Sequence, residues 1–401
     1  MKKGFWTFRY TLINMTYFVA FCTIHALAAV YLLAHGFSNT EVGILLAIAN
    51  IVSAICQPYF AGIIDKPGPL TNRRFIIISV LIILVGSVIL MLGVSKAVIF
   101  VIYALIYMVQ FAYQPVMTAL CFEYQKAGCD IYYGLARGLG SASFAVTSAF
   151  IGSAVEKQGV NILLIVNIVS MILSAIVVFT FKKPEGTAEK TEDKTEVKDT
   201  QAVAHNNIAD FARTYPAFSL FLIGTICFFF AHNMINDFMI QIIRSLGGGE
   251  TQLGYANFLQ AILELPVMAV IGFFLKKISS DKMLVFSGMA FFVKILILIF
   301  ATNMAMMYLS QSCQLFAYAV FIPAAAYYVS STMNELDQVK GQAFVTSAIT
   351  IGGVFSNLIS GVILDHMGIK TMLITGTAVC FVGVVIALYA MKKLPSVRTE
   401  M

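Results

Sequence analysis

Long apolar runs separated by short polar breaks dominate the chain. The runs are about 20 residues or longer, the length a helix rising 1.5 Å per residue needs to cross a hydrocarbon core about 30 Å thick. Apolar windows predict twelve spans, at about 9–34, 40–64, 74–94, 97–122, 133–155, 159–181, 216–243, 250–275, 281–302, 304–330, 338–364 and 369–391. The pattern therefore predicts an all-α membrane protein with twelve transmembrane helices. One stretch breaks the texture. KKPEGTAEKTEDKTEVKDTQAVAHNN, residues 182–207, is polar and charged, and cannot bury enough apolar surface to order itself. Residues 208–215 read as a short interfacial helix leading into span 7. The expected organisation is an N-terminal six-helix half (1–181), a charged cytoplasmic linker (182–214), a C-terminal six-helix half (215–393) and a cytoplasmic tail (394–401).

Charge sets the orientation. With both termini inside, Lys2, Lys3, Arg9, Lys66, Arg73, Arg74, Lys126, the linker cations, Lys276, Lys277, Lys282, Lys340, Lys392, Lys393 and Arg398 are cytoplasmic, and the outer loops keep Lys96, Lys157, Arg244 and Lys370. This asymmetry follows the positive-inside rule and predicts a multi-pass protein of the cell (cytoplasmic) membrane with N- and C-termini cytoplasmic. The first apolar run continues to about residue 34 without a small-residue cleavage signal, so it reads as a span and not as a leader.

Composition narrows the function classes. At 401 residues, 59% hydrophobic and only 11% charged, the chain is not a soluble enzyme. Its net charge of +6 is scattered through short loops and forms no basic face, so no nucleic-acid partner is expected. The seven cysteines lie in or beside apolar segments with no CxxC pair, and read as small core residues. No metal-spaced cluster, nucleophile motif or phosphate-binding loop appears, so neither a cofactor nor an enzymatic activity is expected. Continuous pore-lining polarity, which a channel would need, is also absent from the pattern.

The two halves carry a faint repeat. His25 lies 16 residues into span 1 and His232 lies 16 residues into span 7. Gly62, Asp65 and Lys66 after span 2 are echoed by Gly272, Lys276 and Lys277 after span 8. Six plus six spans with a central cytoplasmic loop is the arrangement of major facilitator transporters, whose halves are pseudo-symmetric. Gly62, Asp65, Gly68, Arg73 and Arg74 approximate the facilitator loop pattern, in which glycine permits close helix approach and the aspartate pairs with a neighbouring cation to hold one access state. The same residues also read as an ordinary topogenic loop.

Two segments carry a more specific resemblance. QPYFAGIIDK at 57–66 and YGLARGLGSASF at 133–144 resemble the span 2 and span 5 segments of the lactose permease type of oligosaccharide/proton symporters, and related nucleoside/proton symporters share a similar arginine segment. The resemblance implies that Arg137 binds sugar and that Phe144 stands where the family stacks a tryptophan on the sugar ring. It also implies a histidine and a glutamate in span 10 and a lysine in span 11. This chain has none of these in the membrane interior, so its proton route differs from the family's.

The residues themselves supply further candidates. An arginine one turn inside an apolar span is costly and seeks a partner, and Glu123 at the end of span 4 is the expected one, with a loop-level pair as the alternative. Glu264 and Lys294 lie at similar depth, roughly 16–20 Å from the cytoplasmic ends of spans 8 and 9. A glutamate alternating between Lys294 and a proton is what a proton-coupled carrier requires, while a static ion pair is the plainer reading. Tyr107, Gln110 and Gln114 share one face of span 4, and Gln314 lies in span 10. With His25 and His232 they form a set of neutral and aromatic groups suited to a hydroxyl-rich or heteroaromatic ligand, or to interhelical bonding. Asp237 reads as an outer-mouth residue of span 7. Gly138, Gly140, Gly352 and Gly353 are expected at close helix contacts.

The sequence thus predicts a monomeric secondary transporter with protons, a small polar solute and the bilayer as its partners. Substrate contacts fall to Arg137, Phe144, Tyr107, Gln110, Gln114, His25, His232 and Gln314, and proton coupling to Glu264 and Lys294. Gating falls to Gly62, Asp65, Arg73, Arg74 and Glu123. A sugar or oligosaccharide is the first substrate, with a nucleoside, an aromatic acid or uncoupled uniport as alternatives.

Overall fold

The computed structural model describes residues 4–64, 69–183, 208–275 and 277–393. Residues 1–3, 65–68, 184–207 of the linker, 276 and the tail 394–401 lie outside the described residues, and with them Lys2, Lys3, Asp65, Lys66, Gly68, Lys276 and Arg398.

Each apolar run is helical. Span 1 comprises α1 (Phe5–Phe21), a π-helical turn (Cys22–Ala26) and α2 (Ala28–Ala34). Spans 2 to 6 are α3 (Asn39–Ile64), α4 (Asn72–Met91), α5 (Lys96–Lys126), α6 (Tyr133–Gln158) and α7 (Ile162–Thr180). The short helix α8 (Ile208–Thr214) precedes span 7, which divides into α9 (Pro216–Asp237) and α10 (Met239–Ser245). Spans 8 and 9 are α11 (Glu250–Leu275) and α12 (Ser280–Ile299). Span 10 is α13 (Met304–Ser312), a 3-10 turn (Cys313–Leu315) and α14 (Tyr318–Thr332), and the last two spans are α15 (Glu335–His366) and α16 (Gly368–Lys393). Among the described residues ten helices are long and apolar enough to cross a membrane, or eleven when the bent pair in span 1 is counted. The remaining predicted span is α11, 26 residues long.

Contacts group the chain into two compact units, 1–191 with 248–261, and 192–247 with 262–401. Each unit repeats one neighbour scheme. In the first unit the first span (α1) packs on the fifth and sixth (α6, α7), and the third (α4) on the fourth and sixth. In the second unit α9 packs on α15 and α16, and α12 on α14 and α16. Small residues allow the approach. A Cβ at Gly140 would stand 2.7 Å from the Phe18 ring, one at Gly352 2.6 Å from the Ile226 carbonyl, and one at Gly353 2.9 Å from the Asn233 amide. Gly138 differs from expectation: a Cβ there would meet nothing within 4 Å, because its side of α6 faces away from the α1 contact that Gly140 makes.

Helix breaks fall where polar groups cluster. Pro115 inside α5 has no N–H to give the Phe111 carbonyl four residues earlier, and Gln57 Nε2 donates to that oxygen instead, at 3.2 Å. The π-turn places His25 at the 52° bend between α1 and α2, and such turns concentrate at functional positions. At the base of the first unit Tyr124 stacks on Phe181 at 4.6 Å, with Trp6 edge-on to both.

Candidate functional site

Phe18, Phe21 and His25 are spaced by three and four residues on span 1, so they share a face. The His25 ring stacks on Phe21 at 3.9 Å and lies 3.8 Å from Tyr107, with Phe111 edge-on at 4.6 Å. Its ring nitrogens are buried, and the Gln110 side chain is their polar neighbour. Phe21 continues the row to Phe18 at 6.3 Å and Phe144 at 6.5 Å. The Arg137 guanidinium carbon sits 4.4 Å over the Phe18 ring, and its Nη1 donates to Ser141 Oγ at 2.6 Å. Four residues expected from sequence, Arg137, Phe144, His25 and Tyr107, thus join one aromatic row. Three others complete it, Phe18, Phe21 and Phe111, whose spacing on span 1 and i, i+4 pairing with Tyr107 were the available signal.

The rest of the span 4 face behaves differently. Gln110 is fully buried and donates to Asn167 Oδ1 at 3.4 Å, and Asn167 donates to Ser87 Oγ at 2.7 Å. Gln110 therefore belongs to a polar link across α4, α5 and α7, while Gln114 is half-buried one turn further along. Glu123 is not beside Arg137 as the sequence suggested. It forms an ion pair with Lys183 at 2.6 Å and accepts from Asn72 Nδ2 at 2.8 Å, because the last turn of α5 lies where α4 begins and α7 has ended. Arg73 donates to the Val178 and Phe179 carbonyls at 3.0 and 2.6 Å, a cation on the C-terminus of α7 that complements the helix dipole. Arg74 donates to the Pro69 carbonyl at 2.5 Å. Gly62 lies in the last turn of α3, and its expected companion Asp65 is outside the described residues.

The second unit holds a charged relay. Lys294, fully buried on α12, donates from Nζ to Gln314 Oε1 at 2.8 Å. Gln314 Nε2 donates to Glu264 Oε1 at 2.9 Å. One amide orientation alone serves both charges, oxygen to the ammonium and nitrogen to the carboxylate. Gln314 can reach both because it lies in the 3-10 turn that breaks span 10, the kind of mid-helix break that marks functional hinges. The sequence expected Gln314 to meet substrate, and the structure makes it the bridge between the two charges. His232 stacks on Tyr318 at 5.4 Å, packs edge-on to Phe291 one turn before Lys294, and pairs through Nε2 with the Asn236 amide at 2.9 Å.

Two repeated helical units that bury a row of rings with an arginine in one and a glutamine-bridged acid–base relay in the other define a multi-pass membrane transporter. Residues 10–375 match the MFS_1 like family, and the chain belongs to that family of major facilitator secondary transporters. It is 23% identical over 392 residues to the sucrose permease of Escherichia coli, covering 90% of this chain and 87% of that protein. Its fold is similar to that of the nucleoside transporter NupG, with a TM-score of 0.77 at 16% identity over 98% of this chain and 100% of that one. It is also similar to a bacterial homologue of the human lysosomal transporter Spinster, with a TM-score of 0.71 at 12% identity over 99% of this chain and 98% of that one.

Proposed function

We propose that the chain is a proton-coupled symporter that carries a sugar or oligosaccharide across the cytoplasmic membrane by alternating access. In this reading it works as a monomer with both termini inside, and the halves 1–181 and 215–393 are the moving bodies. The observation that carries the coupling is the Glu264–Gln314–Lys294 chain. When Glu264 is ionised it accepts a charge-assisted bond from the Gln314 amide, and when it takes a proton one oxygen becomes a donor and the other a weaker, neutral acceptor, so its hold on the amide that also serves Lys294 loosens. Protonation is thereby tied to the position of the 3-10 break in span 10. Arg137 supplies planar donors to substrate hydroxyls, and Phe18 and Phe144 supply ring faces. Gly62, Asp65, Arg73, Arg74 and Glu123 serve the gating end, and Gln110 and Gln114 support the substrate face. Likeness to a sucrose permease over most of the chain supports the sugar reading.

A nucleoside is the second reading, favoured by the stacked Phe21, His25 and Tyr107 rings, which offer planar faces to a base. Lumen pH in proteoliposomes, measured as disaccharides, nucleosides or aromatic acids are added outside, tests both. The expected result is acidification by one class in the wild type, lost in Glu264→Gln while substrate counterflow persists. Counterflow in both proteins with no pH change in either overturns proton symport through Glu264.

A further inference from the structure

The seam between α9 and α15 holds a polar cluster that neither the ring row nor the relay uses. The two helices keep step along it: a Cβ at Gly352 would meet Ile226 and Phe229, and one at Gly353 would meet Asn233. Four residues further on both helices, Asn357 lies beside the Asp237 carboxylate. Gly353, Ser356, Asn357 and Ser360 recur at spacings of three and four, so they share one face of α15. Ser356, Asn357 and Ser360 are completely buried, and the Asn357 amide nitrogen turns to the Asp237 carboxylate, yet among the described residues neither hydroxyl nor the Asn357 amide oxygen has a hydrogen-bond partner.

That state is costly and unlike the rest of the helix. Buried polar groups left unmade cost about 1–3 kcal/mol each. Elsewhere on α15, Thr346 and Thr350 turn back to the carbonyl four residues earlier, at 3.1 Å in both cases. Ser356 and Ser360 do not, although that option is open to any helical serine. Asp237 is the last residue of α9, where the chain breaks before α10, so the negative end of a helix dipole adds to its carboxylate.

One negative side chain, a helix C-terminus and neutral oxygens from an amide and two hydroxyls form a hard, oxygen-only set. Among the described residues no group of three or more His, Cys, Asp or Glu is gathered to hold a metal, so the set lacks the charge a divalent or soft ion demands. We propose that Asp237, Ser356, Asn357 and Ser360 form a binding site for a monovalent alkali cation, sodium being the probe of choice. The cation neutralises the single carboxylate and gives the α15 oxygens the partner the protein itself does not. This site goes beyond the proton reading and stands without it.

Thermal unfolding of the full chain in detergent at pH 8, titrated with NaCl against choline chloride at constant ionic strength, tests the proposal. Binding to the folded state raises Tm saturably with sodium. Asp237→Asn is expected to abolish the rise. Asn357→Ala and Ser360→Ala are expected to raise the half-saturating sodium concentration about tenfold or more, the scale on which lost support weakens metal sites. Should Asp237→Asn fail to fold, these two variants keep the carboxylate and carry the test. Glu264→Gln is expected to respond to sodium as the wild type does, which separates this site from the relay. Equal Tm in sodium and choline for the wild type overturns the proposal, as does an undiminished sodium response in Asp237→Asn or in both alanine variants.

Discussion

The ring row of the first unit and the relay of the second handle buried polarity in opposite ways. In the first, Arg137 is half-buried, lies over an aromatic face and bonds a serine, with no carboxylate among its contacts to the described residues. In the second, Lys294 is completely buried, and a single neutral amide connects it to Glu264. A guanidinium on a ring keeps donors that a ligand can take up without breaking an ion pair. An ammonium and a carboxylate joined through one amide are interdependent, so a change in the charge of either is felt by both. The first arrangement suits recognition and the second suits coupling.

That contrast breaks most sharply at Lys294. Removing one member of a fully buried ion pair typically costs about 3–5 kcal/mol. Glu264 is half-buried and reached through an amide, so Lys294→Met is expected at the lower end, about 3 kcal/mol. Adding Glu264→Gln should restore much of it, because the remaining groups are then neutral. Arg137→Gln is expected to cost clearly less. Unfolding of the three variants in detergent checks the order, and a Lys294→Met protein as stable as the wild type would remove the relay from the structural account.

The next effect separates the glycines that close each unit. At Gly352 an added methyl meets backbone, the Ile226 carbonyl at 2.6 Å, whereas at Gly140 it meets the movable Phe18 ring at 2.7 Å. Gly352→Ala is expected to cost about 1–3 kcal/mol, the usual range for overpacking. Gly140→Ala should cost less in stability but displace the ring beneath Arg137. Gly138→Ala, with open space around it, is expected to be neutral or slightly stabilising, since alanine is the better helix former by up to about 1 kcal/mol. Thermal unfolding of the three alanine variants ranks them, and equal losses at 138 and 352 would show that close approach does not set the α9–α15 contact.

How much of this was legible in the sequence depends on what each feature requires. The spans were readable because bilayer thickness fixes their length, and Glu264 and Lys294 were readable because a charge there is too costly to be idle. Gln314 as a bridge was not, since an amide's partners depend on where span 10 breaks, and CQL carries no strong breaking signal. Phe18, Phe21 and Phe111 stood hidden among 33 phenylalanines, and only the positions of their neighbours distinguish them. The Arg137–Glu123 pairing failed for a related reason. A charge near a span end can reach several others, and the tertiary fold gave Glu123 to Lys183. Gly138 and Gly140 look alike in sequence and differ by which side of α6 they occupy.

The smallest effect asks whether Phe18 holds Arg137 or merely lies beneath it. Phe18 is almost fully buried and edge-on to Tyr17 at 5.0 Å, so Phe18→Leu loses packing whatever the arginine does. A single variant therefore cannot isolate the stacking, and a cycle with Arg137→Gln can, because the packing loss appears in both arms and cancels. A cation over a ring contributes about 0.5–2 kcal/mol according to how far it is desolvated, and a half-buried guanidinium belongs in the lower part of that range. The expected coupling in thermal unfolding is accordingly about 0.5–1 kcal/mol. Coupling indistinguishable from zero would mean that the Ser141 bond alone orients the guanidinium, and the ring row would then lose its link to the arginine while the His25 stack remained.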